Sequence, residues 1–264
     1  MNIIKRITRA RWTYKQSLTK KPKELNSRIS DLFIWRDSQE WVTFFELTDI
    51  SALFMQEKQD IHYADIVLFS SVGEKILTKK VKLSQNQRMV INLSEILLQA
   101  DNSGEFGTFA VFHSYIPEVV SNLNSFIAER GYLSYTYKAS PLRSYVHGNL
   151  DAISKYNDEY SMLGGSGILK REYALQYELN NKSNYDIVVV NPSDKVKKIT
   201  CKVVDSDNML INQEIMKVKP RGVGIFPVSF EYQKSARIII TSRLVMARPL
   251  VFRTNDNFFD VFHG

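Results

Sequence analysis

Residues 64–94 read "ADIVLFSSVGEKILTKKVKLSQNQRMVINLS". Shifted by 135 positions without a gap, they fall on residues 199–229, "ITCKVVDSDNMLINQEIMKVKPRGVGIFPVS". Leu68 meets Val203, Ser71 meets Ser206, Ile76 meets Ile211, Leu83 meets Val218, Ile91 meets Phe226 and Ser94 meets Ser229. Identities are few, but apolar positions and turn residues coincide, as expected of two copies of one folding unit. Further along, "YLSYTYK" can be laid beside "PLVFRT", and each is followed by a short polar loop and a His-Gly pair. Leu133 precedes His147 by 14 residues, and Leu250 precedes His263 by 13. The pairs His147-Gly148 and His263-Gly264 are therefore expected to close the last strand of each copy. The histidine would pin the strand by hydrogen bonding and the glycine would allow a turn.

Working outward, both halves read as short strands. "DLFIWR" and "WVTFFEL" are aromatic and β-branched, with "DSQE" between them as a hairpin turn. "GTFAVFHSY" continues the first series; "EYALQYELN", "YDIVVVNP", "ARIIITSR" and "RPLVFRT" belong to the second. "MLGGSGILK" at 162–170 separates the halves, and it matches neither a phosphate loop nor a dinucleotide fingerprint. "IPEVVSNLNSFIAERGY" has Pro117 near a start, apolar residues at Val119, Leu123, Phe126 and Ile127, and a stop at Gly131. The expectation is a mostly β chain of two tandem antiparallel β-sandwich modules, immunoglobulin-like or jelly-roll-like, with one inserted helix near 117–130. Its parts are a basic tail at 1–28, a first module at 29–153, a linker at 154–170 and a second module at 171–264. The strand pattern of the second half is similar to that of immunoglobulin-like bacterial sandwich modules, a resemblance that implies a fold and assigns no function.

The net charge of +7 is concentrated in one place. Residues 1–23 hold eight Lys and Arg and no Asp or Glu, while the remaining 241 carry 27 basic and 28 acidic side chains. The body is therefore not basic overall, although a local patch is still possible. In the tail, Lys5, Arg6, Arg9, Arg11 and Lys15 are mixed with Ile3, Ile4, Ile7, Trp12 and Tyr14. Such a basic amphipathic segment suits an anionic membrane surface or an acidic partner. It also fits an organelle presequence, an arm on nucleic acid or a plain solvated extension. No apolar run approaches the length of a membrane span, and no signal segment is legible. The single cysteine, Cys201, needs no oxidising compartment. A cytoplasmic location, with membrane association through the tail, is the expectation.

Familiar catalytic and metal signatures are absent, so no cofactor and no metal are expected. Cys201 alternates with Ile199 and Val203, the pattern of a small core residue. The densest polar cluster is "SPLRSYVHGNLD". On one strand, Arg143, Tyr145, His147, Asn149 and Asp151 would share a face able to grip a polar ligand such as a sugar. "FRTNDNFFDVFHG" supplies a counterpart in Arg253, Asp260 and His263. The leading expectation is a non-catalytic binding or assembly protein that recognises a sugar or glycan precursor. Two rivals are an acid/base or metal-dependent enzyme, with His147, His263, Asp151 and Asp260 meeting between the modules, and a particle protein with a nucleic-acid-binding arm. The enzyme reading requires the two histidines to come within about 10 Å of each other, since ligation or proton transfer acts at bonding distance.

Overall fold

A computed structural model describes residues 27–49, 62–83, 88–100, 104–114, 128–129, 131–148, 151–180, 182–229, 235–245 and 248–264, with residues 20, 22 and 24. The proposed tail residues Lys5, Arg6, Arg9, Arg11, Trp12 and Lys15 lie outside the described residues, as does most of the segment expected to be helical.

In chain order the first strands are β1 (Arg28–Asp31), β2 (Phe33–Arg36), β3 (Trp41–Leu47), β4 (Tyr63–Ser70), β5 (Lys75–Lys82) and β6 (Met89–Asn92). A one-turn helix, α1 (Leu93–Leu97), follows, its first turn capped by the Asn92 side chain on the Ser94 N–H at 3.1 Å. Then come β7 (Phe106–His113), β8 (Ala128–Glu129), β9 (Tyr132–Tyr137), β10 (Ser144–His147), β11 (Asp151–Tyr156) and β12 (Glu159–Met162). The rest are β13 (Ser166–Ala174), β14 (Asn184–Val190), β15 (Lys197–Asp205), β16 (Leu210–Val218), β17 (Val223–Val228), β18 (Ala236–Leu244), β19 (Leu250–Thr254) and β20 (Phe259–His263).

The protein is mostly β. These strands form five small four-stranded sheets, a five-blade, propeller-like arrangement rather than two tandem sandwiches. Sheet I has the order β12-β11-β1-β8, sheet II β2-β7-β4-β5 and sheet III β10-β9-β3-β6. Sheet IV is β17-β14-β19-β20 and sheet V is β13-β18-β15-β16. All pairings are antiparallel except that of β1 with β8. The blades do not follow the consecutive strand order of a standard propeller. Instead, sheets II and V share one order, and sheet III read backwards matches sheet IV. The 135-residue offset carries β4 onto β15, β5 onto β16 and β6 onto β17.

Three cores hold the sheets face to face. Phe33, Trp35, Ile66 and Phe109 of sheet II meet Trp41, Phe45 and Tyr135 of sheet III, together with Val188, Leu250 and Phe252 of sheet IV. Ile187 and Val189, pointing the other way from β14, meet Ile199, Cys201 and Ile240 of sheet V. Val67, Phe69, Ala110 and Phe112, on the far side of sheet II, pack on Ile153 of sheet I. Sheets II and IV are thus buried on both faces. That is why residues 66–69 of β4 and 109–112 of β7 read as continuous apolar runs rather than alternating ones.

Two expectations are corrected here. The halves are not separate modules, because sheet IV contributes one face to the core of each. The stretch 154–170 is not a linker: it carries the end of β11, all of β12 and the start of β13. Lys155 within it forms a mostly buried ion pair with Asp65 at 2.8 Å, tying sheet I to sheet II. Of the stretch expected to be helical, residues 128–129 form strand β8 and the rest lies outside the described residues; α1 at 93–97 is a separate element. Sheet I draws its strands from the two ends of the expected first module, the end of the stretch expected to be helical, and the linker.

Candidate functional site

The two His-Gly pairs meet. β10 is an edge strand of sheet III and β20 an edge strand of sheet IV, and the two edges lie side by side. The Val261 N–H donates to Ser144 Oγ at 2.9 Å, and Nε2 of His263 donates to the His147 carbonyl at 3.0 Å. The imidazole rings are 5.1 Å apart at their centroids, tilted by 45°. His147 Nδ1 also lies 2.6 Å from the Gly148 carbonyl. Strand alternation explains the His263 orientation: Phe259 and Val261 face the first core, and residue 263 follows them onto that side.

Neither glycine serves a turn, since neither has a positive φ. A methyl group on Gly148 would stand 1.6 Å from Oδ2 of buried Asp31, and one on Gly264 would stand 2.6 Å from Leu175. Close packing, not backbone freedom, requires glycine at both positions.

Between the histidines and the sheets lies a pocket of about 50 Å³. Its floor is apolar, made by Phe33, Ile34, Leu133 and Val146 from the first half and by Val188 and Leu250 from the second. His147, His263 and Arg248 supply its polar groups. The volume suits three or four waters or one small functional group. Burial chiefly holds the His263 imidazole below its ordinary pKa. The backbone of His147 and of Pro249 opposes that shift, while Arg248 and the His147 ring add to it. The site therefore presents a neutral, polarisable imidazole next to a guanidinium over a greasy floor. Such a surface suits a carboxylate or acyl group.

The remaining expected residues are divided among several environments. Tyr145 shares a face of β10 with His147 and is exposed. Arg143 precedes β10 and lies over the Phe44 ring at 3.9 Å. Asn149 falls outside the described residues. Asp151 opens β11 in sheet I, opposite Asp31. Residues 143–151 are thus not one strand face, because β10 ends at 147 and the chain crosses to another sheet. Arg253 and Asp260 are neighbours across β19 and β20, paired at 3.0 Å, on the opposite face of sheet IV from His263. Arg253 also bonds the Tyr177 hydroxyl, and Asp260 Oδ1 lies 3.1 Å from Ser144 Oγ. Asp260 is therefore held as a structural partner away from the pocket. Cys201 is buried, its thiol pushed up to about 12 by burial, with Glu214 adding to the effect, as befits an inert core residue.

Arg248 and Asp31 escaped the sequence reading. Arg248 opens "RPLVFRT" and Asp31 opens "DLFIWR", and nothing local marks the one as lining the pocket or the other as packed against Gly148. A second buried polar cluster also escaped. His62 Nδ1 lies 3.0 Å from Asp49 Oδ2, and both act electrostatically on His113. Among the described residues, no group of three or more His, Cys, Asp or Glu is placed to hold a metal, and no helix is long and apolar enough to cross a membrane.

No family model matches the chain, and no curated protein matches it. Two solved structures of infectious bursal disease virus show similarity. The Gt strain structure is 12% identical, with 87% of this chain and 58% of that chain covered at a TM-score of 0.19. The Gx strain structure is 9% identical, with 90% and 55% covered at a TM-score of 0.16. The chain thus spans a little over half the length of those virus chains. TM-scores this low carry no argument about fold or function.

Proposed function

We propose that the chain is a non-catalytic binding protein made of two copies of one eight-stranded unit, β2–β10 without β8 and β13–β20, with a ligand site where their last strands meet. One observation carries this reading: His147 and His263, one from each copy, stand 5.1 Å apart over an apolar pocket that both copies line. The pocket is too small to enclose a sugar ring, which needs well over ~100 Å³ by the scale of small-molecule pockets. The ligand would therefore insert an acyl or carboxylate substituent, as an acidic or acylated sugar or glycan precursor does, and leave its ring outside near exposed Tyr145. The tail docks the protein to an anionic membrane or an acidic partner.

The enzyme alternative shares the histidine pair, which meets the proximity it required. It does not retain Asp260, which Arg253 and Ser144 hold on the other face.

Titration calorimetry with acetate, glucuronate, N-acetylglucosamine and glucose tests the binding reading. The substituted ligands should bind and glucose should not. Arg248→Ala should weaken binding of the charged ligands about tenfold or more, the worth of one charge-assisted hydrogen bond, and His263→Ala should weaken all the ligands less, by removing one wall of the pocket. Tyr145→Ala should weaken only the ring-bearing ligands. Silence with all four ligands, in a folded protein, would remove the pocket as a ligand site.

A further inference from the structure

Several cations of the body stand together at one end of sheet V. Arg243 on β18, Lys198 on β15 and Lys217 on β16 are all exposed there. The register sets Lys198 opposite Lys217 and brings Arg243 to the same row, one step beyond the Ile199–Ser242 pair. Ile199 and Cys201 turn into the core, so these three side chains share the outer face. Lys170 and Lys195 are exposed at the same end, and Lys197 Nζ donates to Ser166 Oγ at 2.8 Å. The carboxylates beside them are Asp194 and Glu172. Burial chiefly lowers the Lys197 pKa; Asp194 opposes it, and Lys195, Lys20 and Arg243 add to it, as crowded cations do.

Apolar side chains project from the same place. Pairing of β13 with β18 jumps from Ser166–Leu244 to Arg171–Ser242, so residues 167–170 bulge out of the ladder. Ile168 and Leu169 on the bulge are 82% and 66% exposed, and Val196 is 54% exposed. The root of the basic tail is here too: the Lys20 N–H donates to the Leu163 carbonyl at 2.6 Å, just before β13.

We propose that this end of sheet V is a docking surface for an anionic lipid membrane, with Ile168 and Leu169 entering the interface and Lys198, Lys217 and Arg243 meeting the headgroups. The inference rests on the membrane docking proposed above and extends it from the tail to the folded body. Charge complementarity selects the anionic surface. The paired aliphatic tip selects lipid over nucleic acid, because a phosphate backbone gains nothing from it while a headgroup–acyl boundary does.

Co-sedimentation of the full chain with vesicles tests this, using phosphatidylcholine alone and phosphatidylcholine mixed with phosphatidylserine. Binding should require phosphatidylserine and weaken with salt. Ile168→Gln/Leu169→Gln should lower binding about tenfold at any salt, from lost apolar burial. Lys198→Glu/Arg243→Glu should lower it at least as much at low salt. Both pairs are exposed, so thermal melting should not move. If both variants bind as the parent does while Arg6→Gln/Arg9→Gln/Arg11→Gln does not bind, docking belongs to the tail and the inference is overturned. A parent that binds no vesicle overturns the docking reading as a whole. Binding to duplex DNA that the charge reversal abolishes and the Ile168/Leu169 variant keeps, without vesicle binding, assigns the face to nucleic acid instead.

Discussion

Gly148 and Gly264 follow histidines that touch, and both are glycine because a neighbour occupies the space of a side chain. At Gly148 the neighbour is the carboxylate of Asp31, buried and packed into its own surroundings, so it cannot retreat. Gly148→Ala should therefore cost about 3 kcal/mol, at the upper end for overpacking a filled site. Gly104 gives the contrast: its φ of 76° is strained for other residues, but nothing lies within 4 Å of an added methyl. Gly104→Ala should cost only about 1 kcal/mol. Urea unfolding of the two variants measures both, and equal losses would mean that Asp31 gives way to the added methyl at residue 148. The adjacency of His147 and His263 has no sequence signal beyond the parallel His-Gly endings. Those endings mark equivalent places in a repeat, and only the pairing of two sheet edges makes equivalent places neighbours.

β4 and β7 lie side by side in sheet II and are covered on both faces, so the polar groups at their shared end are buried with them. His113 closes β7 opposite Ala64 of β4, and burial holds its imidazole down at about 4, with Asp49 opposing and His62 and Arg28 reinforcing. The unfolded chain takes up this proton near pH 6.5, whereas the folded chain resists until about pH 4. Between those values the unfolded state binds more protons, so stability falls as pH falls, and below about 4 the loss is complete. From pH 7 to pH 5 the loss from this residue should be about 2 kcal/mol. His113→Phe should flatten that part of the stability profile. A variant whose urea midpoint tracks pH as the parent's does would show that another group carries the slope.

Across the whole molecule, the two halves are joined by a shared core with an ion pair at its margin. Arg36 pairs with Asp186 at 2.9 Å and lies against the rings of Trp41, Phe106 and Phe252, so one side chain touches sheets II, III and IV. Phe252 from the second copy in turn meets Trp41 and Tyr135 edge-on. Such a joint should make unfolding a single cooperative event. Arg36→Leu strands the Asp186 charge, which keeps some water, and should cost about 2 kcal/mol. Arg36→Lys should recover little of it, because an ammonium cannot pair in a fork and stack on rings together. Calorimetry decides this: the parent should show one transition and Arg36→Leu a broadened or divided one. Two separate transitions in the parent would mean that the shared core does not couple the halves.

The sequence by itself determined that this chain is β, where most strands of both halves lie, and that its excess positive charge sits at the start. Those properties are local, written in β-branched and aromatic runs, in turn residues and in a count of lysines. "DLFIWR", "WVTFFEL" and "KKITCKVVD" needed no partner to be recognised. Tertiary structure alone decided what those strands pack against. Sheet I is assembled from a four-residue strand, a two-residue strand and the polar segment after His147, none of which is periodic enough to announce a strand. Its strength comes from burial against sheet II and from the Lys155–Asp65 pair, both long-range. The same reason separates Asp260 from His263, three residues apart but on opposite faces of sheet IV, and joins His263 to His147, 116 residues away. Contact between distant segments is set by how sheet faces and edges meet, and period-two alternation fixes which residues share a face, not which face they meet.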